Sequence, residues 1–115
     1  MNKKSLALGR LPAGVMNATE AAYAQKLELD KRAGKIFDYQ FEPCSLRLGK
    51  NLHYTPDFLV INFDMCIEFH ETKGFWTDDG RAKIKMAAAK FPWFLFTAVK
   101  KQSKKDGGGW AIEVF

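Results

Sequence analysis

The stretch "YTPDFLVINFDMCIEFHETKGFW", Tyr54 to Trp76, restricts the fold more than any other part of the chain. Apolar runs flank the turn-forming "NFDM", and each alternates with the period of a strand. If this hairpin turns about Asp64, Asp57 lies opposite Glu71, about 5 Å away, and Lys73 follows on the same face. The rest of that face is Leu59, Ile61, Ile67 and Phe69, and the other face carries Phe58, Val60, Cys66, Glu68 and His70. A slip of one residue would send every apolar side chain to the wrong side, so the pattern specifies the register. Asp57, Glu71 and Lys73 therefore stand at the open end of a core face. Charges seldom occupy such a place without a partner or a function.

The remaining sequence supplies a domain around this hairpin. A chain of 115 residues with 47% hydrophobic content can bury one modest core. Residues 1–16 read as an arm or tail, and residues 17–115 as a single domain. In "NATEAAYAQKLELDKRAG", Asn17 or Thr19 can cap a helix that stops at Gly34, and Glu20, Tyr23 and Leu27 share one face. "KIFDYQFEPCSLRL" alternates like a strand interrupted at Pro43. "HYTPDFLVI" reads as a second strand, with Pro56 near its start or at an edge. Asp78 or Asp79 can cap a helix over "RAKIKMAAAKF". "WFLFTAVK" is a buried strand, "KQSKKDGGG" a basic loop and "WAIEVF" the last strand. The predicted order is α-β-β-β-α-β-β, an α/β or α+β arrangement. No apolar run approaches the ~20 residues of a membrane span, and the start is too short and broken for a secretory signal. Cys44 and Cys66 do not make a disulfide framework, so a reduced, cytoplasmic protein is the expectation.

Two converging carboxylates form an oxygen-rich site for a hard divalent cation, usually Mg²⁺, with Mn²⁺ as substitute. Asp57 and Glu71 are the candidate ligands, and the backbone carbonyl of Thr72 can add a third. Glu20 is a candidate to complete the site, although "Asn17-Ala-Thr-Glu20" is also a capping box. Lys73 can position a water and offset charge on a phosphorane-like transition state. The alternative is a structural salt-bridged cluster. Zinc is disfavoured, because Cys66 and His70 would stand about 13 Å apart along one strand. The net charge of +5 favours a polyanionic partner such as nucleic acid. Candidate phosphate contacts are Arg81, Lys83 and Lys85 on the second helix, and Lys100, Lys101, Lys104 and Lys105 around the Gly-rich loop. Solvated surface is the plain alternative. Phe75 and Trp76 suit base stacking, a core position or a dimer contact.

"Tyr54-Thr-Pro-Asp57-Phe" followed by "Glu71-Thr-Lys73-Gly" resembles the motif of the PD-(D/E)xK nuclease superfamily. With the helix that carries Glu20, it looks like the phage endonuclease I family of four-way-junction resolvases. "EAAYAQKLELDKRAGKIFDYQFEP" also resembles small phage proteins of that superfamily. The resemblance covers roughly residues 17–99. It implies a restriction-endonuclease-like fold, a central mixed β-sheet flanked by helices. It also implies Glu20, Asp57, Glu71 and Lys73 as catalytic residues of a Mg²⁺-dependent DNA endonuclease. The implied setting is phage DNA metabolism in the host cytoplasm, on branched DNA, with a homodimer admitted. A non-catalytic DNA-binding or recombination accessory protein on the same fold stays open beside it.

Overall fold

Prolines decide where the expected strands break. Pro43 separates β1 (Asp38–Phe41) from β2 (Leu46–Gly49), and Pro56 lies between β3 (Leu52–Tyr54) and β4 (Phe58–Ile61). Proline donates no amide hydrogen, so a ladder cannot run through it. The two long strands expected before the NFDM turn are therefore four, and β2 and β3 leave the main sheet to form an antiparallel pair of their own. A helix, α1 (Ala18–Arg32), precedes β1. After the turn come β5 (Ile67–Lys73), α2 (Asp78–Lys90), β6 (Leu95–Lys101), a 3₁₀ turn (Lys104–Asp106) and β7 (Trp110–Val114). This computed structural model describes residues 14–74 and 77–115.

The main sheet runs β1-β4-β5-β6-β7. Among the described residues only β5 and β6 pair in parallel, and α2 supplies the crossover that parallel neighbours require. The mixed sheet flanked by helices is the expected class. The β4–β5 register pairs Phe58 with His70, Leu59 with Phe69 and Ile61 with Ile67, as a hairpin about Asp64 requires. The turn closes through a hydrogen bond from the Met65 amide to the Asn62 carbonyl at 2.9 Å.

Each helix covers one face. α1 buries Tyr23 and Leu27 against Phe58, Val60 and Val99. Its capping box is complete: Asn17 Oδ1 accepts from the Glu20 amide at 2.8 Å, and Glu20 Oε1 accepts from the Asn17 amide at 2.9 Å. Gly34, at φ +76°, follows the helix end in the left-handed conformation that suits glycine. α2 sets Ile84 and Ala87 on Phe69 and Phe96, together with Leu48 and Tyr54 from the β2–β3 hairpin. Its N-cap is Thr77, whose hydroxyl accepts from the Gly80 amide at 3.1 Å. Asp78 and Asp79 are not the cap. They occupy the first turn, where the helix dipole favours negative charge. Among the described residues no helix is long and apolar enough to cross a membrane.

Candidate active site

Asp57 immediately precedes β4, and Glu71 lies near the end of β5, so both reach the same end of the sheet. Glu71 is 7% exposed and is held at both oxygens. The Tyr54 hydroxyl donates to Oε1 at 2.8 Å and the Asp57 amide at 3.2 Å, while Lys73 Nζ stands 3.1 Å from Oε2. Burial, then the charge of Asp57, pushes the Glu71 carboxyl up to about 7, against the pull of Lys73 and Tyr54. Burial also raises the Asp57 carboxyl. Opposing it are donors from Thr72, whose amide and hydroxyl reach Oδ2 at 2.9 and 3.0 Å. Alternate residues of a strand face opposite ways, so Thr72 points away from Glu71. Asp57 thus wraps the sheet end toward the α1 side. That departs from the expected arrangement, in which both carboxylates stand on one face.

Glu20 closes the capping box, and its carboxyl group neighbours Asp57. Burial raises its carboxyl first, and the charge of Asp57 adds to that. Three carboxyl groups therefore adjoin at this rim, and burial raises all of them.

The chain matches the family described as "Protein of unknown function (DUF1064)" over residues 15–107. It is a member of that family. No curated protein and no solved structure matches it. The matched span of this DUF1064 chain contains Glu20, Asp57, Glu71 and Lys73 together.

The donor set suits a hard divalent cation in its chemistry: carboxylate oxygens, part-buried, whose mutual repulsion a cation would relieve. The present side-chain directions are not those of a gathered site. Among the described residues no three His, Cys, Asp or Glu side chains are grouped to hold a metal ion. Asp57 serves Thr72 while Glu71 serves Tyr54 and Lys73.

The basic candidates divide into two groups. Lys100 pairs with Lys73 across β5 and β6, and Lys101 follows it. Lys104 and Lys105 lie on the 3₁₀ turn beyond, and all four are exposed. This cluster shares the sheet end with the carboxylates. Arg81 is committed elsewhere: both its terminal nitrogens bond the Glu113 carboxylate, and its guanidinium lies 5.2 Å from the Phe115 ring centroid. Lys85 is exposed and Lys83 half-buried on the same helix. Phe75, Trp76 and residues 1–13 of the expected arm lie outside the described residues.

Two features have no counterpart in the sequence reading. The first is Tyr54, buried with its hydroxyl on Glu71. Burial and the Glu71 charge push its phenol up, so it remains a donor. A tyrosine in an apolar strand usually needs such a partner, which was the available signal. The second is a polar chain under α1. Tyr23 Oη lies 2.6 Å from His70 Nδ1, His70 Nε2 lies 2.9 Å from Glu68 Oε1, and Asn62 Nδ2 donates to Glu68 Oε2 at 2.7 Å. Burial raises the Tyr23 phenol, which keeps its proton and links His70 to α1. The signal here was that Glu68 and His70 alternate onto the α1 face, where Tyr23 also points.

Proposed function

We propose that this DUF1064 protein is a Mg²⁺-dependent endonuclease that hydrolyses DNA phosphodiester bonds, selective for branched or four-way-junction DNA in phage DNA metabolism. The supporting observation is the buried Glu71 beside Asp57, with Lys73 Nζ 3.1 Å from the Glu71 carboxylate. The parallel β5–β6 pair also brings Lys100 and Lys101 to that end. The mixed sheet with a helix on each face agrees with the fold that the resemblance implies.

Asp57 and Glu71 would hold the cation, with the Thr72 carbonyl and Glu20 as further donors. When bound, it would supply Lewis acidity at a phosphoryl oxygen and a water of lowered pKa. The other roles belong to the chain itself. Tyr54 fixes Glu71 by its hydroxyl, and Thr72 fixes Asp57 by its amide and hydroxyl. Lys73 orients the attacking water and offsets charge as the phosphorane-like state develops. Lys100, Lys101, Lys104 and Lys105 hold flanking phosphates. The setting would be the host cytoplasm, with Mn²⁺ replacing Mg²⁺ and DNA as the partner.

The test is incubation of supercoiled, single-stranded and four-way-junction DNA with and without Mg²⁺. Metal-dependent strand breaks that disappear in Asp57→Asn and Lys73→Ala are expected. Intact DNA of all three forms, with Mg²⁺ and with Mn²⁺, would reject the nuclease reading. One observation favours a second reading: Asp57 and Glu71 face different partners, and no three-ligand group is assembled among the described residues. On that reading the protein binds DNA as an accessory of recombination without cutting it. Tight, metal-independent binding to uncut junctions would be its signature.

A further inference from the structure

A trough lies beside Glu71 on the α2 face of the sheet. Three strands build it. β5 contributes Lys73, β6 contributes Ala98, Val99 and Lys100, and β7 contributes Ala111, Ile112 and Glu113. The rows run Glu71–Ala98–Glu113 and Lys73–Lys100–Ala111 across the ladder. Neighbouring strands lie roughly 4.8 Å apart. The two alanines occupy one diagonal of the β6–β7 pair, and Lys100 and Glu113 occupy the other. Where four ordinary side chains would fill the surface, two methyl groups leave a hollow. Its volume is about 270 Å³, and its rim carries Lys73 and Lys100. Arg81 pins Glu113 from the side of α2, which keeps that wall in place.

We infer that this trough receives one unpaired nucleotide of the DNA strand next to the scissile phosphate. The inference rests on the nuclease reading of the neighbouring carboxylates. The floor is apolar and suits a base or sugar face, whereas the cations on the rim suit the phosphates on either side. The hollow begins one strand away from Glu71, so a phosphate at Glu71 and a base on Ala111, above the buried Ala98, are neighbours along one strand. A volume of about 270 Å³ falls just below that of drug-sized ligand pockets and takes a single ring system. A paired base cannot enter without leaving its stack, at a cost of a few kcal/mol, and an unpaired one enters at least cost. The site therefore selects branched, gapped or single-stranded DNA over intact duplex.

The experiment uses the full chain in EDTA, where no cleavage is needed. The probe is a short single strand carrying one 2-aminopurine, whose emission rises when its ring leaves the base stack. The label is walked along the strand. Emission should rise on binding at one or two label positions only. Ala111→Leu, which fills the trough from an edge strand, should abolish that rise and weaken binding roughly 5- to 150-fold, the range of one base contact. Ala111→Ser, which keeps the hollow, should retain it. A parallel measurement on the unmodified protein places one abasic residue at each position in turn, and affinity should fall at the same place. Uniform emission at all positions, or an Ala111→Leu variant that binds like the parent, overturns the inference. A localised rise with no strand breaks in Mg²⁺ keeps the trough and rejects the nuclease. Breaks in Mg²⁺ with neither a localised rise nor an abasic effect reject the trough and keep the nuclease.

Discussion

Replacing Glu71 with glutamine should make the metal-free protein more stable at alkaline pH. Burial and the Asp57 charge set the Glu71 carboxyl at about 7 in the folded chain, against its ordinary 4.5. The folded state therefore binds a proton more tightly than the unfolded state does. Stability from this group is full below about pH 4.5 and is lost as the pH rises through 7. Each pH unit in that window costs about 1.4 kcal/mol, so the whole window costs about 3 kcal/mol. Asp57 and Glu20, whose carboxyls are also raised, act in the same direction. Glutamine keeps an oxygen for the Tyr54 hydroxyl and carries no charge. It forfeits the Lys73 ion pair, whose lysine is 29% exposed and regains water. The net gain at pH 8 should be roughly 2 kcal/mol, close to 8 °C in Tm for a domain of this size. At pH 5 the two proteins should melt together. Urea and thermal unfolding in EDTA between pH 5 and 8 measure both quantities. Wild-type stability that is flat or rising over that range, or a glutamine variant that is weaker at pH 8, would refute the account of a strained buried carboxyl.

The other expectations concern metal, support and charge. Mg²⁺ or Mn²⁺ should raise the wild-type Tm by mass action, and Asp57→Asn should abolish that rise together with cleavage, as paired melts with EDTA and with millimolar Mg²⁺ will show. Tyr54→Phe removes a donor that lowers the Glu71 carboxyl, so it should cost about 1 kcal/mol in denaturant titrations and move the Glu71 titration upward in carboxyl NMR. Neutralising Lys100, Lys101, Lys104 and Lys105 should weaken binding to every DNA shape and reduce the log–log salt slope by roughly 0.9 per lost duplex phosphate contact. An unchanged slope would place those lysines away from the nucleic acid.

The β4–β5 hairpin was legible because a period of two, a single short turn and apolar runs on both sides leave one register. The first helix was legible from Asn17, Gly34 and the Tyr23–Leu27 spacing. The four-strand break-up was not. A proline marks a weak ladder position but does not say whether the chain resumes in the same sheet or turns away, and that depends on packing of Leu48 and Tyr54 under α2. Thr77 and Asp78 are both good caps on paper, and only backbone geometry distinguishes them. The candidate site was legible in its membership and less so in its orientation. Parity places Asp57 opposite Glu71, but Asp57 precedes the ladder, so Thr72 could draw its side chain to the other side. The contacts of Tyr54 and of the Tyr23–His70–Glu68 chain join distant segments, so the local pattern signals the need for a partner without saying which one is met.

The contrast between a hairpin and a crossover also bears on the order of folding. β4 and β5 meet through a turn of a few residues, and such hairpins close within microseconds. β5 and β6 meet only after α2 has formed and crossed the sheet, and the β2–β3 pair must then settle beside Tyr54. Asp57 and Glu71 are brought together by the first event while water still surrounds them. They are desolvated by the later ones. If the hairpin forms in the transition state and burial follows it, the electrostatic penalty falls on the native side, so alkaline pH should accelerate unfolding and leave the refolding rate nearly unchanged.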